Sequence, residues 1–231
     1  MYIPLVIKQI VFGMSTPISD TSKVLKKGRA LPLDSNIINK IAASELDVAF
    51  NREEYFTEME ESVKRILQRP TKDVPTYDIL DTERSKVNKL VALKEKQRQM
   101  KIGDIWQTAI GNYKDCQDLK VGDITGLDIL SEKRKFIAEL KNRTNTDNAS
   151  SKKTNFDKLA KFKTEHPEYT CIYANINDDT EEKSSQTTVK KFQHNGVELE
   201  QHIGYQFLTY IFGDDTNAVV EFLKTTIDKY S

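Results

Sequence analysis

The stretch GLDIL at residues 126–130, followed by FIAELK at residues 136–141, decides the fold of this chain. Each stretch is a short apolar run, and the link between them, residues 131–134, is polar. Short apolar runs bounded by polar turn residues predict a pair of strands, here over residues 123–130 and 135–141. A strand pair is therefore predicted near the middle of the chain.

Periodic apolar residues predict helices on the N-terminal side of this pair. The predicted helices cover residues 36–47, 52–68, 81–100 and 104–112. Asp81 is the predicted cap of the third helix, and Gly103 separates it from the fourth. The residues before position 36 are predicted to form short extended pieces and loops.

On the C-terminal side the pattern changes to strands and shorter helices. Residues 144–154 form a predicted polar loop, and Asn155 is the predicted cap of a helix that Pro167 ends. A buried strand is predicted over residues 169–176, and Asn195-Gly196 predicts the turn of a hairpin. The remaining predicted elements are the hairpin strands and two C-terminal helices, over residues 189–194, 197–202, 205–212 and 217–230.

This order of elements predicts the α/β (α+β) class, with a mixed central sheet flanked by helices. A length of 231 residues fits a single domain. Within that domain, residues 1–103 are predicted to form a mainly helical N-terminal part. Residues 104–231 are predicted to form a core with C-terminal helices.

Composition limits the partners and the compartment. The 35 basic and 35 acidic residues balance, which argues against a generally basic coat for nucleic acid but not against a locally basic cleft. Cys116 and Cys171 are too few for a disulfide framework, which favours a reducing compartment. The apolar stretch at residues 1–14 is too short to span a membrane, so we expect a soluble, cytoplasmic protein.

Three residues of the strand pair carry the chemistry that we predict. Side chains alternate along a strand, so Glu139 and Lys141 point to the same face. Phosphodiester hydrolysis uses a hard cation, and Mg²⁺ needs only one or two carboxylates, which Asp128 and Glu139 can supply. The carbonyl of Leu140 could be a third ligand, and Lys141 could orient or deprotonate the attacking water.

The pattern of an acid, any residue and a lysine is not rare in such a charged chain. It also occurs at residues 118–120 and 181–183, but neither copy follows an apolar strand-like run. Only Glu139 and Lys141 follow such a run and have an aspartate in the run before. The alternative interpretation is that Asp128 caps a turn while Glu139 and Lys141 lie on a solvated strand face.

The surrounding charge favours a nucleic-acid site. Residues 133–163 contain ten basic and three acidic residues, an excess expected of a surface that contacts phosphates. Short polar and basic side chains contact phosphates and base edges, although the same residue types also favour ordinary loops. The predicted DNA-binding residues are Asn142, Arg143, Asn145, Asn148, Ser150, Ser151, Lys152 and Lys153.

The arrangement of Asp128, Glu139 and Lys141 resembles the PD-(D/E)XK nucleases, and the run over residues 139–151 resembles type II restriction endonucleases, nearest to those that cut GGNCC-type sites. The resemblance covers roughly the second half of the chain. It implies a restriction-endonuclease-like fold, Mg²⁺, a homodimer, a palindromic duplex target and double-strand cleavage. Gly126-Leu127 replaces the proline that the family has before its aspartate.

Two questions stay open at this point. A third active-site acid is not identified, since Gln107 lies at a plausible position but has no carboxylate, and Glu54 and Glu58 are more simply read as solvated helix residues. The function also has alternatives: a repair, resolvase or phage nuclease built on the same core, or a DNA-binding module without catalysis. For a restriction enzyme, the expected location is the prokaryotic cytoplasm.

Overall fold

The first described helix has the bounds that the sequence predicts. The computed structural model describes residues 50–71, 73–120, 122–143, 148–177 and 189–231. Helix α1 spans Arg52–Gln68, and its N-terminus is capped by the Asn51 side chain, which accepts from the N–H groups of Glu53 and Glu54. The predicted helix over residues 36–47 and the extended pieces before it lie outside the described residues.

Helix α2 corrects the sequence prediction. It runs without interruption over Glu83–Gly111, so the break predicted at Gly103 and the separate helix over residues 104–112 are wrong. A glycine inside a helix costs only about 1 kcal/mol relative to alanine, and burial of the residues that follow it outweighs that cost. The N-cap is Thr82, whose side chain accepts from the Ser85 N–H, and not Asp81.

The predicted strand pair is confirmed with shifted bounds. Strands β2, Ile129–Ser131, and β3, Phe136–Arg143, are antiparallel, with Ile129 opposite Ala138. Strand β2 begins later than predicted because a turn with Gly126 at φ +62° precedes it. A two-residue strand, β1 at Gln117–Asp118, pairs with the other edge of β2 and was not predicted.

Strand β3 continues through a helix into a parallel partner. Helix α3 spans Ala149–Glu165 and strand β4 spans Thr170–Asn177. The predicted cap at Asn155 is wrong, because the Asn148 side chain accepts from the Ser151 N–H and starts the helix earlier. The second half of the predicted polar loop is therefore helical.

The C-terminal hairpin completes a mixed six-stranded sheet. Strands β5, Lys190–His194, and β6, Val197–Ile203, are joined by Asn195 and Gly196, both at positive φ as their turn requires. The strand order is β1-β2-β3-β4-β6-β5, in which β3, β4 and β6 are parallel. The mixed sheet flanked by helices that the sequence predicts is confirmed.

The two faces of the sheet pack against different helices. Helix α4, Tyr205–Phe212, and helix α5, Thr216–Tyr230, join α1 and α2 over one face, which buries Phe136 and Ala138. Helix α3 covers the other face, which buries Ile137 and Tyr173. By strand alternation, Glu139 and Lys141 belong to the α3 face. Among the described residues, no helix is long and apolar enough to cross a membrane.

The end of helix α2 lies unusually close to strand β1. A Cβ atom added at Gly111 would lie 2.4 Å from Cβ and 2.8 Å from N of Asp118. We expect Gly111→Ala to destabilise the protein by about 1–3 kcal/mol, because strand β1 must move away from the added Cβ atom.

Gly103→Ala is the matched control, since its Cβ would meet nothing within 4 Å, and it should stabilise α2 by up to about 1 kcal/mol. Urea denaturation of both variants tests this, and equal stabilities would contradict it.

Candidate active site

Asp128 is held between two strands just before β2 begins. Its N–H donates to the Ala138 carbonyl at 3.1 Å, and its carbonyl accepts from the Leu119 N–H at 2.9 Å. Its carboxylate accepts from the Leu140 N–H at 2.7 Å. The backbone and the side chain of Asp128 are therefore both fixed relative to strand β3.

A turn that precedes Asp128 is hydrogen-bonded to helix α3. The Asp123 carboxylate accepts from the N–H and the hydroxyl of Thr125, at 2.8 and 2.6 Å. The Lys158 ammonium donates to the Gly126 carbonyl at 2.9 Å. These contacts fix the backbone of the residues that lie just before Asp128.

Glu139 and Lys141 are paired on the α3 face of β3. The Lys141 ammonium donates to Oε1 of Glu139 at 2.7 Å, and the Glu139 side chain is only 5% exposed. Oε2 of Glu139 is buried and has no hydrogen-bond partner within the described part of the chain. The alternative interpretation of a solvated strand face is wrong for Glu139.

The surroundings of Asp128 raise the pKa of its carboxyl group. Burial, and then the charge of Glu139, raise the pKa of Asp128 from 3.8 to about 6. The hydrogen bond from Leu140 and the ammonium of Lys141 act in the opposite direction but do not cancel the increase. Asp128 is therefore a buried acid that binds its proton more readily than an exposed one, and it lies beside the buried side chain of Glu139.

The two carboxylates fit a hard divalent cation. Within the described ranges, no group of three histidine, cysteine, aspartate or glutamate side chains could hold a metal by itself. Mg²⁺ keeps several waters and is commonly bound by one or two carboxylates. A buried carboxylate oxygen without a partner is costly, so Oε2 of Glu139 is a ligand atom that a cation would satisfy.

Asp118 is the residue that the sequence analysis missed. Its carboxylate accepts from the Gln107 side chain at 3.0 Å, from the Lys120 N–H at 2.9 Å and from the Lys120 ammonium. It lies near enough to contribute to the raised pKa of Asp128. Although residues 118–120 follow no apolar run, Asp118 belongs to strand β1, which pairs with β2. A two-residue strand has no periodicity, so only the pairing of β1 with β2 reveals this position.

The other two candidates for a third acid lie elsewhere. Glu54 and Glu58 are exposed on helix α1, as the interpretation of solvated helix residues predicts. The remaining copy of the acid-and-lysine pattern, residues 181–183, lies outside the described residues.

The predicted DNA-binding residues divide into three groups. Asn142 already bonds within the protein: its amide donates to the backbone and side-chain oxygens of Gln99, at 3.1 and 2.9 Å, and accepts from Asn177. Asn145 and the Arg143 side chain lie outside the described residues. The others cap or form the first turn of α3: Asn148, Ser150, Ser151, Lys152 and Lys153.

Comparison with known protein families gives a match that covers most of the chain. A family model described as Eco47II restriction endonuclease matches residues 35–228, a span that includes the whole sheet, Asp128, Glu139 and Lys141. No curated protein and no solved structure gives a significant match to the chain.

The raised pKa of Asp128 predicts a stability effect with a definite sign. A carboxyl group that binds its proton more readily when folded costs stability above its folded pKa of about 6, and this cost disappears as the pH falls towards 3.8. We expect Asp128→Asn to stabilise the cation-free protein at pH 8 by roughly 1–2 kcal/mol, with little effect near pH 4. Denaturation in the presence of a chelator at both pH values measures this.

Asp157→Asn is the matched control, and its effect on stability at pH 8 should have the opposite sign. Hydrogen bonds from His194 and Asn195 lower the pKa of Asp157, so its carboxylate favours the folded state. Its substitution should lower stability at pH 8, and an Asp128→Asn variant that behaves in the same way would contradict the description of Asp128 as a destabilised carboxylate.

Proposed function

Because the chain belongs to the Eco47II restriction endonuclease family, we propose that it hydrolyses both strands of DNA at a specific sequence with Mg²⁺ as cofactor. The observation that carries the cofactor assignment is the buried Oε2 of Glu139, which has no hydrogen-bond partner among the described residues and lies beside the raised-pKa carboxyl of Asp128. The fold and the three residues together support assignment to the PD-(D/E)XK type of nuclease.

Each residue of the site has a proposed role. Asp128 and Glu139 hold the cation, with the Leu140 carbonyl as a further ligand. When bound, Mg²⁺ offsets charge on the phosphate and lowers the pKa of a coordinated water. Lys141 is already held at 2.7 Å from Glu139, and it orients the attacking water as an ammonium or accepts the water proton as a neutral amine. The Leu140 N–H keeps the Asp128 carboxylate turned towards β3 during these steps.

The DNA is proposed to approach from the start of helix α3. The first turn of this helix contributes Ser150, Ser151, Lys152 and Lys153, which are suited to phosphate contacts. The resemblance to enzymes that cut GGNCC-type sites makes such sites the first to test. A palindromic target and cleavage of both strands favour a homodimer, and restriction of foreign DNA places the enzyme in the prokaryotic cytoplasm.

Plasmid cleavage tests the function. With Mg²⁺, the purified protein should cut unmethylated plasmid DNA into discrete fragments, and sequencing of their ends gives the site and the stagger. A smear, or a preference for branched DNA, would support a repair or resolvase enzyme instead. DNA binding without any cleavage would support a non-catalytic module.

Substitution of the site residues tests the mechanism. Asp128→Asn and Lys141→Ala should each reduce the cleavage rate by about 100-fold or more, because each removes a group that acts on the transition state. Asp157→Asn, which removes a carboxylate bonded to His194 and Asn195 outside the site, should cleave at the normal rate. Normal cleavage by either site variant contradicts the assigned roles.

Cleavage should also depend on pH through Asp128. A proton and the cation compete for this carboxylate, whose pKa is about 6 without metal. We expect the rate at low Mg²⁺ to fall below pH 6, and the midpoint to move to lower pH as the Mg²⁺ concentration rises. Rates measured from pH 5 to 8 at two Mg²⁺ concentrations test this, and a midpoint independent of Mg²⁺ is the contrary result.

A further inference from the structure

A second lysine lies beside the strand that neighbours Glu139. The Lys152 ammonium, in the first turn of α3, is 5.6 Å from the ring centroid of Phe156 and 5.8 Å from that of Tyr173. Tyr173 is buried on β4 directly opposite Glu139 in the parallel register. The Lys152 backbone N–H donates to the Asn148 carbonyl, but its ammonium makes no ion pair or hydrogen bond within the described part of the chain. Among the described residues, the contacts of this charge are therefore the two aromatic rings.

The topology brings this ammonium to the carboxyl end of the sheet. Strand β3 ends shortly after Lys141, and the helix that follows must begin at that end in order to return for the parallel strand β4. Helix α3 also covers the face to which Glu139 belongs. In sheets of this kind, ligands bind outside the carboxyl ends of the parallel strands.

We propose that Lys152 is a second catalytic lysine, which binds a non-bridging oxygen of the scissile phosphate and offsets the charge that develops there. This inference rests on the proposed nuclease function. An ammonium is a compact charge that binds a phosphate oxygen from many directions, so it needs something to position it. The Phe156 and Tyr173 rings supply that position, since a cation is attracted to the face of an aromatic ring.

A lysine that contacts the scissile phosphate differs in its kinetic effect from one that contacts another phosphate of the DNA backbone. A lysine that only neutralises a distant phosphate changes DNA affinity and its salt dependence, and it leaves the rate of the bound complex unaltered. A lysine on the scissile phosphate also changes that rate, because its interaction strengthens in the transition state.

The test uses Lys152→Met, which keeps a long aliphatic side chain over the rings, and Lys152→Arg, which keeps the charge. A DNA fragment with one mapped site is the substrate. Single-turnover cleavage with Mg²⁺ and enzyme in excess gives the rate of the bound complex, and binding with Ca²⁺ in place of Mg²⁺ gives the affinity. Lys161→Met is the matched control, because Lys161 is an exposed lysine on the same helix.

The expected result is a loss of rate that exceeds the loss of affinity. Lys152→Met should lower the single-turnover rate by roughly 10- to 100-fold, Lys152→Arg should recover most of it, and Lys161→Met should have the normal rate. A normal single-turnover rate for Lys152→Met overturns the inference, whether or not its DNA affinity falls, and leaves the nuclease function standing. A wild-type protein that cuts no DNA overturns the proposed function, and the inference with it.

Discussion

The hydrogen bond from the Leu140 N–H to the Asp128 carboxylate is the contact on which the candidate site depends. Asp128 lies outside the regular part of strand β2, and backbone pairing alone would leave its side chain free to turn away. The 2.7 Å bond fixes the carboxylate to the backbone of the strand that carries Glu139 and Lys141. One short contact thus brings together residues from two segments of the chain, at the cost of crowding two negative charges.

The two faces of strand β3 pack against different parts of the protein, and only one of them carries Glu139. Phe136 and Ala138 pack into the larger core, while Ile137 packs under helix α3 and is followed on that face by Glu139. Burial of a carboxylate in such a strand disfavours the folded state unless a partner satisfies it. Lys141 satisfies one oxygen of Glu139, and the other has no partner among the described residues. The unfavourable burial of the Glu139 carboxylate is what distinguishes β3 from an ordinary core strand.

Local patterns predicted the parts of the fold that depend on neighbours in sequence. The apolar runs predicted β3 and β4, Asn195-Gly196 predicted the hairpin turn, and α1 has its predicted bounds. The errors arose where contacts distant in sequence decide the outcome. Helix α2 continues through Gly103 because the residues beyond it are buried, and Asp118 is in a strand only because β2 lies beside it. The same applies to the position of Lys152 over Tyr173, which depends on how α3 returns across the sheet.

Asn142 has a mechanical consequence for the long helix. Helix α2 has 29 residues and would be about 43 Å long, and only its C-terminal end carries fully buried residues. Gln99 on this helix, Asn142 at the end of β3 and Asn177 at the end of β4 form a continuous chain of amide hydrogen bonds. Because an α-helix is stiff, a displacement of the exposed N-terminal part of α2 also displaces Gln99 and its hydrogen bonds to Asn142. Strain applied far from the sheet thus reaches the residue adjacent to Lys141.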